Sequence, residues 1–313
     1  MNYEIVDQNR LEELKRRLAV PTDKADVVLD TDAYNEIDDQ FAISYLLLSE
    51  GKLKVKALYA APFFNNMSEG PADGMEKSYK EIKKLLGLLK REDVPVYRGS
   101  EGYLPDEQTP VISDAARDLA ARCEDYSPEK PLYVVAIGAI TNVASAMLLN
   151  PNVAKNCVVV WLGGHSLEYT DNGEFNARQD VAADRVIYFS GAPLVQLPCF
   201  GVVSAFTVSR PELEYWLVGK NPVADYLARN TIEHAESYAK GLVWTRVIWD
   251  VTAVAWLLNE DDRFMCSRII DSPVPGYDNR YSEEAFVPLR YVYYIKRDML
   301  MRDLFDKLLS FGK

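Results

Sequence analysis

The sequence predicts an α/β protein: a mostly parallel, open sheet flanked by helices, built as one domain over residues 1–313. Three observations carry this. Short β-branched apolar runs alternate with stretches of helical periodicity, the pattern of crossovers whose parallel sheet is covered on both faces. No internal repeat and no Gly/Ser/Pro linker divides the 313 residues. Hydrophobic residues make up 48% and charged residues 26%, the balance of an ordinary globular chain able to bury a large core.

The elements follow in order. Val27-Val28-Leu29 is a short, wholly apolar strand, and Phe41 to Leu48 continues as a helix. Leu53 to Ala60 is a second strand. Met75 to Leu89 is an amphipathic helix, with Leu85, Leu86, Leu88 and Leu89 on one side and lysines opposite. Val94 to Tyr97 is a third strand. Leu132 to Ile137 and Val158 to Leu162 are two more, and Asn142 to Leu149 is the helix between them. Asn150-Pro151 ends that helix, because proline disfavours the α conformation of the residue before it. In the less regular last third, Asn221 to Ala239 and Asp250 to Leu258 read as helices and Tyr291 to Ile295 as a strand.

Charge narrows the function. Lys+Arg is 35 and Asp+Glu 47, a net charge of −12. That argues against a nucleic-acid scaffold, which needs a basic surface, but leaves room for phosphate-free nucleosides and for a cation. Met1 to Arg17 is mixed in charge and has no apolar stretch of a secretory signal, and no apolar run approaches the roughly 20 residues that span a bilayer. Cys123, Cys157, Cys199 and Cys266 are scattered without a C-x-x-C pair, which predicts reduced thiols and a cytoplasmic protein.

In parallel sheets ligands bind beyond the carboxyl ends of the strands, so the residues after each strand matter most. The strongest signal is Asp30-Thr31-Asp32-Ala33-Tyr34-Asn35-Glu36-Ile37-Asp38-Asp39, with five carboxylates, Asp30, Asp32, Glu36, Asp38 and Asp39, between the end of a buried strand and the start of a helix. Helix capping accounts for Asp38 and Asp39 alone. It leaves Asp30 and Asp32 unexplained, since like charges crowded after an apolar strand raise one another's pKa; a hard, oxygen-seeking cation such as Ca²⁺ or Mg²⁺ relieves them. Asn65 and Asn66 follow the second strand and suit either a turn or sugar hydroxyls. Thr141 follows the fourth strand as a helix N-cap or as a donor of its carbonyl oxygen. Gly163-Gly164 after Trp161-Leu162 permits close backbone approach, and Glu174 and Asn176 stand two residues apart just downstream. Asp250 opens an apolar helix after Trp249.

In this order these pieces resemble the inosine–uridine-preferring nucleoside hydrolase family, over roughly Val27 to Leu258. The resemblance implies Ca²⁺-dependent hydrolysis of the N-glycosidic bond of ribonucleosides, in a homo-oligomer. It implies Asp32 as the base that activates water and as a metal ligand, with Asp30 next to the metal's ligands. It implies Asp39, Asp250 and the Thr141 carbonyl as Ca²⁺ ligands, and Asp38, Asn65 or Asn66, Glu174 and Asn176 around the ribose. Two departures stand out. The segment between Asp32 and Asp38 is two residues longer than the family spacing, which makes Asn35 and Glu36 extra pocket candidates. Trp249 replaces the His commonly found before the last metal Asp, so stacking on the base takes the place of a proton donor there. His234 and Tyr238, at i and i+4 of one helix, are the further candidates for the base side; His165 follows the Gly-Gly pair.

Two rivals are distinct in kind. Asp30-Thr31-Asp32 also mimics the D-x-D of haloacid dehalogenase-type phosphohydrolases, although Tyr34 stands where Thr or Val is usual and no convincing downstream Lys and acidic pair follows. A non-catalytic nucleoside- or ribose-binding protein of the same fold is the other, motivated by the missing His.

Overall fold

The computed structural model describes residues 8–312; Met1 to Asp7, part of the mixed-charge segment read above, lie outside the described residues. The strands are β1 (Ala25–Thr31), β2 (Leu53–Ala60), β3 (Val96–Arg98), β4 (Leu132–Ala136), β5 (Cys157–Leu162), β6 (Leu194–Leu197), β7 (Thr207–Ser209), β8 (Thr245–Val247), β9 (Met265–Pro275) and β10 (Tyr281–Ile295). The helices are α1 (Gln8–Arg17), α2 (Asp39–Leu47), α3 (Pro71–Leu89), α4 (Asp114–Arg122), α5 (Thr141–Leu149), α6 (Asn152–Asn156), α7 (Phe175–Gln179), α8 (Val181–Phe189), α9 (Arg210–Trp216), α10 (Pro222–Ala239), α11 (Val251–Trp256) and α12 (Arg297–Ser310).

Among the described residues the main sheet has eight strands in the order β3-β2-β1-β4-β5-β6-β10-β9. Every neighbouring pair is parallel except β10 with β9, an antiparallel edge. β7 and β8 form a separate two-stranded ribbon. The chain builds outward from β1 through β2 to β3, then returns to lay β4 on the other side of β1. That reversal is a topological switch point, where the loops after β1 and β4 diverge and leave a crevice.

Alternation along β1 splits the core into two layers. Val27 and Leu29 join a cluster with α2, α11 and α12, whereas Val28 faces a second cluster with α4, α5 and α8. Burial on both faces is why β1, β4 and β5 read as unbroken apolar runs.

The differences from the sequence reading lie where that burial fails. β9 and most of β10 are half-exposed and mixed in polarity, so only the buried end of β10, Tyr291 to Ile295, stood out. β6 has four residues, too few for a periodic signal. α4, α8 and α12 had also passed unread. The third strand lies at Val96–Arg98 instead of starting at Val94. α3 starts at Pro71, four residues before the expected Met75, because proline's fixed φ suits a first helical turn. α11 ends at Trp256, short of Leu258.

Candidate active site

The crevice at the switch point is a cavity of about 320 Å³, within the range that holds a small molecule. Its floor is acidic. Asp32 follows β1; Asp38 and Asp39 stand at the start of α2; Asp250, some two hundred residues later, precedes α11, which packs on α2. Asp38, Asp39 and Asp250 each offer one oxygen within 4.8 Å of the others, and all three are buried. Asp38 and Asp250 occupy N-cap positions, yet neither side chain caps its helix. Capping therefore does not account for them.

The neighbours keep this floor in place. The Thr31 hydroxyl donates to Asp39. Asn142 Nδ2 donates to Asp30 Oδ1 at 2.8 Å, and Asp30 lies fully buried behind the cavity lining. Asp32 Oδ2 is buried with no protein partner. Gly138 lets the end of β4 approach this carboxylate: a Cβ there would lie 3.0 Å from the Asp32 Cγ and 3.2 Å from the Ala61 Cβ.

Burial, then repulsion from Asp39 and Asp38, pushes the Asp32 carboxyl well above its ordinary range. Burial and Glu36 push Asp38 up to about 7. Burial and Asp38 likewise raise Asp39 and Asp250, and burial raises Asp30 to about 7. Five acids held this way are costly without positive charge among them. Buried, convergent carboxylate oxygens suit a hard divalent cation, so the residues present fit a metal ion.

The second side of the cavity comes from the segment after β5. Glu174 precedes α7, and its carboxylate accepts from the backbone N–H groups of Asn176 and Ala177, both at 3.0 Å, and of Gly164 at 3.1 Å. Gly164 has φ +75°, so the turn that aims its N–H at Glu174 favours glycine. Asn176 Nδ2 donates to the carbonyls of Leu162 (3.0 Å) and Ile137 (3.3 Å), tying the ends of β5 and β4 together.

The third side is aromatic. His165 stacks on Phe200, with centroids 4.7 Å apart and planes 18° apart, and Phe200 meets Trp249 edge-on at 5.7 Å. All three line the cavity. Asn35, Glu36 and Asn65 close the remaining side: Asn65 Nδ2 donates to Asn35 Oδ1 at 2.5 Å, and Arg246 Nη2 to Glu36 Oε2 at 2.7 Å.

Of the residues singled out in the sequence, Asp32, Asp38, Asp39, Asn65, Glu174, Asn176, Trp249 and Asp250 all reach this lining. Four do not. Asn66 is exposed on the turn that Asn65 Oδ1 makes with the Met67 N–H at 2.8 Å. Thr141 begins α5 with its hydroxyl on Asp180 Oδ2 at 2.6 Å and is not part of the lining, whereas Ile137, just after β4, is. His234 and Tyr238 pack edge-on, 5.8 Å apart, and sit behind Glu36, because Arg246 donates to both Tyr238 Oη (2.6 Å) and Glu36. The sequence reading missed Ile137, Arg178, Cys199 and Phe200 as lining residues. The last two follow β6, and recognising that strand would have exposed them to the same carboxyl-end argument.

A doubly wound sheet with an acidic, cation-competent pocket at its switch point, lined with amides on one side and rings on the other, defines a small-molecule-binding α/β protein. Known proteins narrow this. The profile of the "inosine-uridine preferring nucleoside hydrolase" family matches residues 27–287, and the chain belongs to that family. It is a hydrolase acting on N-glycosyl compounds. It is similar to the pyrimidine-specific ribonucleoside hydrolase RihA of Salmonella paratyphi A: 26% identical over 262 residues, 75% of this chain and 80% of that one. An inosine-guanosine nucleoside hydrolase shares the fold with a TM-score of 0.74 at 18% identity, covering 93% of this chain and all of that one. The type III effector protein XopQ, complexed with adenosine diphosphate ribose, does so at 0.70 and 17% identity, covering 98% of each.

Proposed function

We propose that the chain hydrolyses the N-glycosidic bond of ribonucleosides to ribose and free base, with Ca²⁺ held by Asp38, Asp39 and Asp250. The observation that carries this is the convergence of those three buried carboxylates beside Asp32, whose Oδ2 has no protein partner. Bound there, Ca²⁺ supplies the positive charge that lowers the pKa of a nearby water and orients two sugar hydroxyls. Asp32 takes the proton of the water whose oxygen bonds to the anomeric carbon, and the electrons of the broken C–N bond leave with the base. Glu174, Asn176 and Asn65 hold the ribose, and orientation of this kind removes several kcal/mol from a barrier. Ile137 lines the cavity where Thr141 does not, and its carbonyl, which also accepts from Asn176 Nδ2, would be the backbone oxygen for the cation. Trp249 stacks on the base. The free cysteines, Cys123, Cys157 and Cys199 buried and Cys266 half-buried, support a reducing, cytoplasmic setting. Among the described residues no helix is long and apolar enough to cross a membrane.

The phosphohydrolase reading loses support because Asp30, which would have to attack, lies behind the lining with Asn142 on it. The decisive experiment measures ribose released from a panel of nucleosides with Ca²⁺, by the wild type and by Asp32→Ala. The variant should lose about 10³-fold in kcat, and neither protein should act on p-nitrophenyl phosphate. Undiminished release by Asp32→Ala removes Asp32 from its role. Tight nucleoside binding without turnover by the wild type favours a binding protein.

A further inference from the structure

The aromatic wall contains a group whose chemistry stacking alone does not use. His165 is buried and lines the cavity, its ring clustered with those of Phe200 and Tyr169, whose centroids are 4.7 Å and 5.6 Å away. Its backbone is pinned on both sides: the N–H donates to Asn172 Oδ1 at 2.8 Å, and the carbonyl accepts from Tyr281 Oη at 2.6 Å. The ring therefore has a set position. Its Nδ1 is buried without a partner, which leaves Nε2 as the nitrogen open to the cavity.

These contacts decide the form of the ring. Two protons would bury an Nδ1–H with no acceptor, a cost comparable to a lost hydrogen bond. Burial also pushes the imidazole below its usual range; of the charged groups facing it, Asp171 opposes that and Arg178 adds to it. The ring is then neutral, with its single proton on Nε2 and Nδ1 bare.

We infer that His165 is a specificity-determining residue of the base subsite: through Nε2–H it donates a hydrogen bond to a carbonyl or ring-nitrogen acceptor on the nucleobase, with Phe200 fixing the plane of the ring. This deepens the reading of the chain as a nucleoside hydrolase and rests on it. The ligand class is a ribonucleoside whose base turns an acceptor edge toward His165. The bond is already made to the base in the ground state and strengthens only modestly as the base gains electrons, so its loss acts mainly on KM and changes kcat by no more than a few-fold.

Two variants separate this from packing and from proton donation. His165→Phe keeps the ring and removes the donor; His165→Gln keeps a donor and removes the ring. Ribose release from inosine, with Ca²⁺, is measured from pH 5 to 9, and thermal unfolding checks that both variants fold. His165→Phe should raise KM about tenfold, the worth of one hydrogen bond. Its kcat should stay within threefold of the wild type and its pH profile should keep the same shape, while His165→Gln recovers part of the KM. A wild-type KM in His165→Phe with the defect confined to His165→Gln would reduce the residue to packing and overturn the inference. So would a hundredfold fall in kcat with loss of the alkaline limb, the mark of a proton donor. A wild type that releases no ribose from any nucleoside refutes the underlying reading and this one with it, and does so without reference to either variant.

Discussion

The floor and the aromatic wall of the cavity are built differently. The floor acids hang from the buried middle of the sheet and the first turns of packed helices, and Asp32, Asp38, Asp39 and Asp250 are all at most 3% exposed. The wall is assembled from loops after β5 and β6 and before α11, and Phe200 and Tyr169 are 48% and 45% exposed. Groups that must meet within a fraction of an ångström sit on rigid elements, whereas those that select a ligand sit where exchange is tolerated. Trp249 and Asp250 are adjacent in the chain but belong to opposite sides of this division.

Three experiments break or sharpen that contrast. The largest effect should come from the floor: Asp250→Ala should lower kcat/KM at least about 100-fold, because several kcal/mol of charge stabilisation goes with the carboxylate. In the wild type, Ca²⁺ at a hundred times its Kd should stabilise the fold by about 2.7 kcal/mol, and Asp250→Ala should abolish that gain in a thermal melt. A variant that melts and turns over like the wild type would show that the floor is not a metal site. The wall should give less. Trp249→Ala should raise KM about tenfold, the worth of one aromatic contact, and Trp249→Phe should recover much of it; a hundredfold loss of kcat instead would place Trp249 in the chemistry.

The smallest effect tests the support beneath the floor. Asp184 on α8 is fully buried, and neither carboxylate oxygen has a protein partner. Burial, then Asp180 and Glu174, raises its pKa well above the ordinary value. A carboxyl whose folded pKa is raised contributes most below its unfolded pKa near 3.8, and that contribution is lost as pH climbs through the folded value. Asp184→Asn should therefore stabilise the protein by about 1–2 kcal/mol at pH 8 and by nothing at pH 3.5, read from urea unfolding at the two values. Equal stability at both would mean that the native carboxylate is solvated in solution.

Much of the site was legible because its residues follow strands that read plainly. β1, β4 and β5 are buried on both faces, so their apolar runs locate their own carboxyl ends, and Asp32, Glu174 and Asn176 fall out of that placement. Asn35 and Glu36 were visible as excess length between Asp32 and Asp38, and both reach the lining. Phe200 was hidden because β6 is too short to show a period. His234 and Tyr238 misled: a shared helix face says which way two side chains point together, but not what stands between them and the cavity, which here is Arg246 with Glu36.

The chain by itself determined the parallel sheet, the acidic segment after its first strand and the family to which these belong, since local periodicity and motif order are written in consecutive residues. Only the tertiary structure decided that Asp250 meets Asp38 and Asp39, that Ile137 and not Thr141 lines the cavity, and that His165 lies against Phe200 on the cavity wall. Those facts depend on the packing of α11 against α2 and on which strand ends lie side by side. Distances across a fold are set by how whole elements stack, and no stretch of neighbouring residues encodes them.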